Sequence, residues 1–229
     1  MTDNIISYIE MCQREGASLQ AGMNFGLGGN HSVILMSVRP NSPYRDRLED
    51  GGTTLVYEGH DHPKTAACPT PKLVDQPLAS HTGRPTQNGK FFKAAHDATA
   101  NTRPPERVRV YEKLKPGIWA YNGVFHLVEA WTEVDERRTV CKFKLVAVAG
   151  EEDLSQPVKL SAERRRIIPS HVKLEVWQRD QGRCTKCGAT DELHFDHVLP
   201  YSKGGTSETA ANVQLLCARH NLAKSDRIE

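Results

Sequence analysis

Cys184-x-x-Cys187 and Cys217-x-x-His220 are two ligand pairs, each with two residues between its members. A pair so spaced can span one edge of a tetrahedron, and three thiolates with one imidazole are a donor set of structural zinc. Cys184, Cys187, Cys217 and His220 are therefore expected to form a closed zinc site, stapling a segment too small to hold itself together by apolar burial. Between and just beyond these pairs stand residues that the cage does not use: Asp196, His197, Asn212 and Asn221. A carboxylate with amide oxygens suits Mg2+ or Mn2+, hard ions that prefer oxygen donors, and a neighbouring neutral imidazole can take a proton from water. The chemistry expected of this group is phosphodiester hydrolysis.

The stretch from Ser170 to Arg227 resembles the HNH endonuclease family, the ββα-metal nucleases. Its motifs occur here in order: Cys184/Cys187, Asp196-His197, Pro200-Tyr201-Ser202-Lys203-Gly204-Gly205, Asn212, Leu216-Cys217, His220-Asn221 and Lys224. The resemblance implies that His197 is the general base and that Asp196 with Asn221 holds one divalent ion on the scissile phosphate and the leaving 3′-oxygen. It also implies that Asn212 braces the loop that aims His197, and that Lys224 contacts the backbone or orients the site. Two positions depart from the pattern, His220 where a cysteine is commoner and Asn221 where some members carry histidine; imidazole substitutes for thiolate at zinc.

These side chains need particular elements beneath them. Leu193, Phe195 and Leu199 alternate as a short strand does, which puts Asp196 and His197 on opposite faces. Both can serve one phosphate only if the strand ends or twists at His197, a break that Pro200 and Gly204-Gly205 permit. Asn221 and Lys224, three apart, share one face of a final helix. His194 reads as a surface histidine.

An HNH unit uses about sixty residues, and a chain of 229 has room for a second domain upstream. Of the 30 Lys and Arg and 28 Asp and Glu, 11 and 9 lie from Ser161 onward, leaving 19 of each before it. A neutral N-terminal part cannot bind any duplex as a generic polycation, so it must discriminate by shape and pocket. Basic clusters at Arg84, Lys90 and Lys93, at Arg103 to Arg109 and at Arg164-Arg165-Arg166 could grip phosphate at an edge. No stretch approaches the ~20 apolar residues of a membrane span. Removing the three zinc ligands from six cysteines leaves Cys12, Cys68 and Cys141, an odd remainder that fits a reducing, cytoplasmic compartment.

Periodicity gives a helix over Ile5 to Glu15, strands at Ser32 to Val38, Thr53 to Tyr57, Val108 to Tyr111, Gly123 to Ala130 and Thr139 to Val148, and a helix from Asn88 to Ala100. Residues 151–169 read as a charged linker, after which Ser170 caps a helix over Val172 to Asp180. The fold class expected is α+β: a twisted β-barrel with flanking helices over 1–150, then a zinc-stabilised ββα-metal domain over 170–229.

From Ala21 to Gly150 the chain looks like the SRA domain, a reader of 5-methylcytosine. The likeness is carried by Gly22-x-x-Phe25-Gly26, by Leu55-Val56-Tyr57-Glu58-Gly59 and by the run from Trp119 to Val128 containing Tyr121-Asn122-Gly123-Val124-Phe125, with Asn122 and Phe125 at positions where the family has Asp and Tyr. It implies a base flipped out of the duplex, with Tyr57 and Tyr44 as aromatic faces and Asp46 as the carboxylate that reads the N4 amine, Glu49 and Asp50 being the neighbouring alternatives. Such a base needs an aromatic platform, a carboxylate to accept from its N4 amine, and backbone groups for its O2 and N3 edge. The loop from His60 to Asn88 is expected to brace the DNA grooves, and His60-Asp61-His62 to be loop chemistry and not a metal site.

Together the two resemblances imply a modification-dependent restriction endonuclease, expected to carry structural Zn2+ and catalytic Mg2+ or Mn2+. Its partner is double-stranded DNA carrying 5-methylcytosine or 5-hydroxymethylcytosine. A double-strand break needs two HNH centres, so a symmetric homodimer is the economical arrangement. The alternatives are an HNH enzyme whose barrel reads an unmodified sequence or another modified base, and a modified-DNA binder that does not cut.

Overall fold

The computed structural model describes residues 3–135, 138–148, 168–200 and 203–224. Ser202, Arg164 to Arg166 and nearly all of the expected linker lie outside the described residues.

The chain enters as strand β1 (Asp3–Ser7), followed by helix α1 (Tyr8–Glu15). The helix expected from Ile5 is thus three residues shorter. Ser7 and Glu10 form a capping box that starts the helix at Tyr8, and the β-branched pair Ile5-Ile6 extends ahead of it. Strands β2 (Met23–Leu27), β3 (His31–Met36), β4 (Arg47–Glu49) and β5 (Thr54–Glu58) come next. Helix α2 (Gln87–Thr99), capped by Thr86, precedes the three long strands β6 (Glu106–Lys115), β7 (Ile118–Asp135) and β8 (Arg138–Ala147). The C-terminal part holds α3 (Ser170–Arg179), β9 (Leu193–His197), β10 (Val213–Cys217) and α4 (Ala218–Lys224). The sequence expectation that Ser170 caps α3 is corrected: Ser170 is the first helical residue, and Pro169 holds the cap position with an extended backbone.

The strands join in one sheet ordered β10-β9-β1-β7-β6-β3-β2, with a branch in which β8 pairs both β7 and β5, and β5 pairs β4. Only β3 and β6 run parallel among these pairs. Strand β7 is long enough to pair with three others, and register shifts at Val110/Tyr111 and Leu127/Glu129 bend it so that the sheet curls. Inside the curl, Phe91 and Ala95 of α2 pack with Met23, Ile34, Phe125 and Phe143. This agrees with the α+β class and the β-rich N-terminal part read from sequence.

Two features tie the C-terminal elements to that sheet. Strand β1 lies between β7 and β9, with Ile5 opposite Ala120 on one side and Asp3 opposite Phe195 on the other. A second core mixes Leu114 and Ala120 of the N-terminal strands with Val172, Val176, Phe195 and Leu215. The described residues contain no helix long and apolar enough to cross a membrane.

Candidate functional site

Strands β9 and β10 form an antiparallel hairpin with His197 opposite Val213 and Leu193 opposite Cys217, and α4 follows at once. This is the ββα arrangement, and its two ends carry different chemistry.

At the end formed by Leu193 and Cys217 sits a cluster of four side chains that could hold a metal ion. The ligand atoms of Cys184, Cys187, Cys217 and His220 all lie within 4.8 Å of one another. Cys187 Sγ to Cys217 Sγ is 3.8 Å, and His220 Nδ1 stands 3.3 Å from Cys217 Sγ and 3.5 Å from Cys184 Sγ. A tetrahedron with Zn–S of about 2.3 Å and Zn–N of about 2.0 Å has edges near those lengths. The four donors therefore fit zinc as predicted from their spacing. Burial opposes the Cys184 thiolate, yet backbone N–H groups of Cys217, Lys186 and Cys187 together bring its thiol down to about 6, the direction that metal binding needs. The turn at Cys184 is pinned to the hairpin by Thr185 N–H donating to the Leu215 carbonyl.

The opposite end carries Asp196 and His197, where β9 stops as the sequence required. Asp196 is buried and His197 half-buried. Lys224, only 1% exposed, reaches across from α4: its Nζ donates to the His197 carbonyl at 2.7 Å and lies 3.0 Å from Asp196 Oδ2. That oxygen is buried and its cationic neighbour is the Lys224 ammonium, so a divalent ion bound there would share the carboxylate with Lys224. With the amide oxygen of Asn221 on the same face of α4 as Lys224, the donor chemistry suits a hard divalent ion.

Asn212 braces the intervening loop from both sides. Its Oδ1 accepts from Leu199 N–H at 2.8 Å, and its Nδ2 donates to the carbonyls of Leu199 at 3.1 Å and Thr206 at 2.9 Å. The loop can double back this tightly because of Gly205: a Cβ there would lie 1.8 Å from the Leu199 carbonyl oxygen. One residue went unseen in the sequence. Buried Ser207 places its Oγ 2.9 Å from His197 Nε2. When Nε2–H donates to Ser207, the lone pair resides on Nδ1, so Ser207 can set the tautomer as well as the ring angle. A serine in an irregular loop has no periodicity to mark it; its only signal was position, two residues past Gly205. His194, half-buried in β9, has its imidazole pulled below the ordinary value by burial.

The N-terminal candidates converge around β5. Asp46 accepts from Ser37 N–H and from Glu58 N–H, both at 3.0 Å. Burial outweighs those two bonds and pushes its carboxyl up to about 7. Tyr57 is 3% exposed, opposite Phe143 in the sheet. Its phenol is pushed well up, by burial first and then by Asp46, Tyr44 and Glu58. The hydroxyl packs where a Cβ at Gly22 would come within 2.6 Å, which accounts for the glycine. Tyr44 is half-buried beneath Lys72, whose Nζ is 3.9 Å from the ring centroid. Of the alternatives, Asp50 is taken up by Thr54 Oγ1 at 2.8 Å and Glu49 pairs with Arg47 at 2.7 Å.

Sequence did not reveal a charged network behind these residues. Lys142 and Glu58, each 2% exposed, pair at 3.0 Å, and Arg138 joins Glu58 to Asp61. Asp61 also pairs with Lys72 at 2.9 Å, so the central residue of the His60-Asp61-His62 run is part of an ion-pair network. A cavity of about 610 Å³ opens between the β3–β4 loop and α3, lined by Val38, Asp46 and Leu48 on one side and His171, Leu174 and Gln178 on the other. Neither Tyr44 nor Tyr57 lines it.

Among solved structures, the chain is similar to the SUVH5 SRA domain in complex with hemi-methylated CG DNA, at 22% identity over 68% of this chain and 93% of that one, TM-score 0.46. It is also similar to the modification-dependent TagI restriction endonuclease, at 20% identity over 97% of this chain and 76% of that one, TM-score 0.42. A third similarity is to KRYPTONITE in complex with mCHH DNA, an H3(1-15) peptide and SAH, at 18% identity over 69% of this chain and 34% of that one, TM-score 0.45. No curated protein matches the chain. Residues 184–227 match the HNH endonuclease family model, and the ββα unit with its cluster of three cysteines and a histidine is accordingly an HNH endonuclease domain.

Proposed function

We propose that this chain is a modification-dependent DNA endonuclease whose N-terminal sheet reads a modified cytosine and whose HNH domain hydrolyses a nearby phosphodiester bond. The observation that carries the reading is the convergence at the end of β9: buried Asp196, His197 held by Ser207, the loop closed by Asn212, and Lys224 reaching in from α4. The base-reading half is supported by the Gly22, Leu55–Gly59 and Trp119–Val128 motifs. It is supported too by the electrostatic proximity of Tyr44 and Asp46 to Tyr57.

In this mechanism His197 takes the proton of the attacking water through the ring nitrogen not held by Ser207. Asp196 and Asn221 would hold a single Mg2+ or Mn2+, which would supply Lewis-acid neutralisation of charge on the phosphate and the leaving oxygen. Lys224 fixes the strand end through the His197 carbonyl, and Asn212 keeps the loop from drifting. Upstream, Asp46 accepts from the cytosine N4 amine and Tyr44 offers an aromatic face to the everted base, while the enclosed ring of Tyr57 becomes a second face only when the packing around it opens. Flipping costs a few kcal/mol, and a single methyl group in an apolar pocket returns only ~1–3 kcal/mol of discrimination. The preference for 5-methylcytosine is therefore graded, about 10- to 200-fold by the same estimate. Two chains act together as a symmetric homodimer when both strands are cut.

The closed packing around Tyr57 favours one second reading, in which the sheet grips DNA without everting a base. Digestion of two duplexes that differ in one cytosine, methylated or plain, separates the two. Wild type with Mg2+ or Mn2+ is expected to cut the methylated duplex preferentially, and chelator or His197→Ala to stop it. Equal cutting of both duplexes rejects base reading, and cutting that survives His197→Ala rejects the catalytic assignment.

A further inference from the structure

Lys173 on α3 is fully buried. Lysine is almost never so placed unless its charge is answered, and here the answer comes from the N-terminal sheet. Its Nζ donates to Glu112 Oε2 of β6 at 3.1 Å and to Asn122 Oδ1 of β7 at 2.7 Å, and Asn122 Nδ2 donates to the same Glu112 oxygen at 3.1 Å. Glu112 and Asn122 are each 1% exposed. Asn122 is suited to this triangle because an amide donates at one end and accepts at the other; an aspartate would add a second buried carboxylate. An apolar residue at 173 would seal α3 on the sheet equally well, and a buried ion pair is a weak source of stability. What such a triad adds is a single allowed placement of α3.

The same seam is held at a second point. Strand β1 is hydrogen-bonded both to β7 and to β9, the strand that bears Asp196 and His197, and the apolar core crosses between them. We propose that Lys173, through Glu112 and Asn122, is a positioning residue that locks the nuclease to the sheet as one body, so that the cut falls at a fixed offset from the base being read. This rests on the reading of the sheet as a modified-base reader. Residues 151–167 would then connect the two parts without setting the distance between their sites.

The test maps cut positions by sequencing, on a duplex with one methylated cytosine. Wild type is expected to give one dominant offset on each strand, unmoved by a Gly-Ser insertion within 151–167. Lys173→Ala with Glu112→Ala, which avoids stranding a buried carboxylate, should bind the methylated duplex with unchanged affinity. Cutting at the wild-type position should fall about a hundredfold, the scale set by small misplacements of reacting groups, and the remaining cuts should scatter. Lys173→Arg, which keeps the cation, should restore part of the dominant cut. An offset that moves with the insertion, or a double variant that cuts where wild type does, overturns the proposal. A second measurement needs no cutting. On heating the full-length chain, zinc release and loss of sheet structure should coincide in wild type and separate in the double variant; separation already in wild type overturns the lock. Should methylated DNA not be cut at all, base-directed cleavage falls while the heating measurement still decides the seam.

Discussion

Lys224 Nζ stands 3.0 Å from Asp196 Oδ2 while it also donates to the carbonyl of the next residue, His197. One ammonium thus fixes both the candidate metal ligand and the strand end that carries the candidate base. Lys224→Met is expected to lower cutting about 10- to 100-fold, the usual cost of losing a group that orients a metal ligand. Single-turnover rates at saturating Mg2+ check this, and an unchanged rate would remove Lys224 from the site.

Ser207→Ala should act on His197 without touching zinc. If the hydroxyl selects the tautomer, its loss lowers the cutting rate about tenfold, whereas His197→Ala costs the full general-base contribution of about 10²- to 10⁴-fold. Zinc content by atomic absorption should stay the same in both variants. A Ser207→Ala enzyme as fast as wild type means the contact is structural only.

At Gly205 even one methyl group is too large, since a Cβ would sit 1.8 Å from the Leu199 carbonyl oxygen. Gly205→Ala must open the loop that Asn212 holds, and it is expected to abolish cutting while the zinc end of the hairpin stays intact. Metal content and circular dichroism, measured beside activity, distinguish this from global unfolding.

The Asp46 carboxyl is pushed from an ordinary 3.8 to about 7, chiefly by burial. Between those values the folded chain holds a proton that the unfolded chain has released, so this residue makes stability fall as pH rises from 3.8 towards 7. The ionised form is the one that accepts from an N4 amine. Affinity of His197→Ala for a methylated duplex should therefore increase from pH 6 to pH 8, and adding Asp46→Asn should flatten that slope. Fluorescence anisotropy across the pH range is the check.

Lys142 and Glu58 form a buried pair behind the base-reading candidates. Lys142→Met leaves the carboxylate with the Arg45 N–H at 3.1 Å and, as its charged partner, the longer contact with Arg138 at 3.4 Å, and should destabilise the chain by about 3 kcal/mol. Denaturant unfolding measures it directly.

The clustering of Cys184, Cys187, Cys217 and His220 was legible in the sequence because metal coordination constrains residue spacing directly: two intervening residues suffice to bring the members of each pair together. His197 at a strand end was legible because Pro200 and Gly205 punctuate the chain beside it. Ser207, Lys173 and β1 were not, since each acquires its role from a partner distant in sequence or from a loop without periodicity. The aromatic positions show the opposite difficulty. Tyr57 could be placed on a strand by pattern, but only packing reveals that its ring is enclosed, with Phe143 opposite it in the sheet and its hydroxyl against Gly22. Alternation gives a face, and the depth of a side chain beneath that face depends on the neighbouring strands.

Strand β1 also bears on how the protein folds. Its partner Phe195 lies about 190 residues away in the chain, and contacts of such range form slowly. Until β1 arrives, β9 is paired with β10 alone and its other edge is an open template that invites aggregation. The strand that carries Asp196 and His197 is thereby tied, in its folding, to a late-closing strand of the N-terminal sheet.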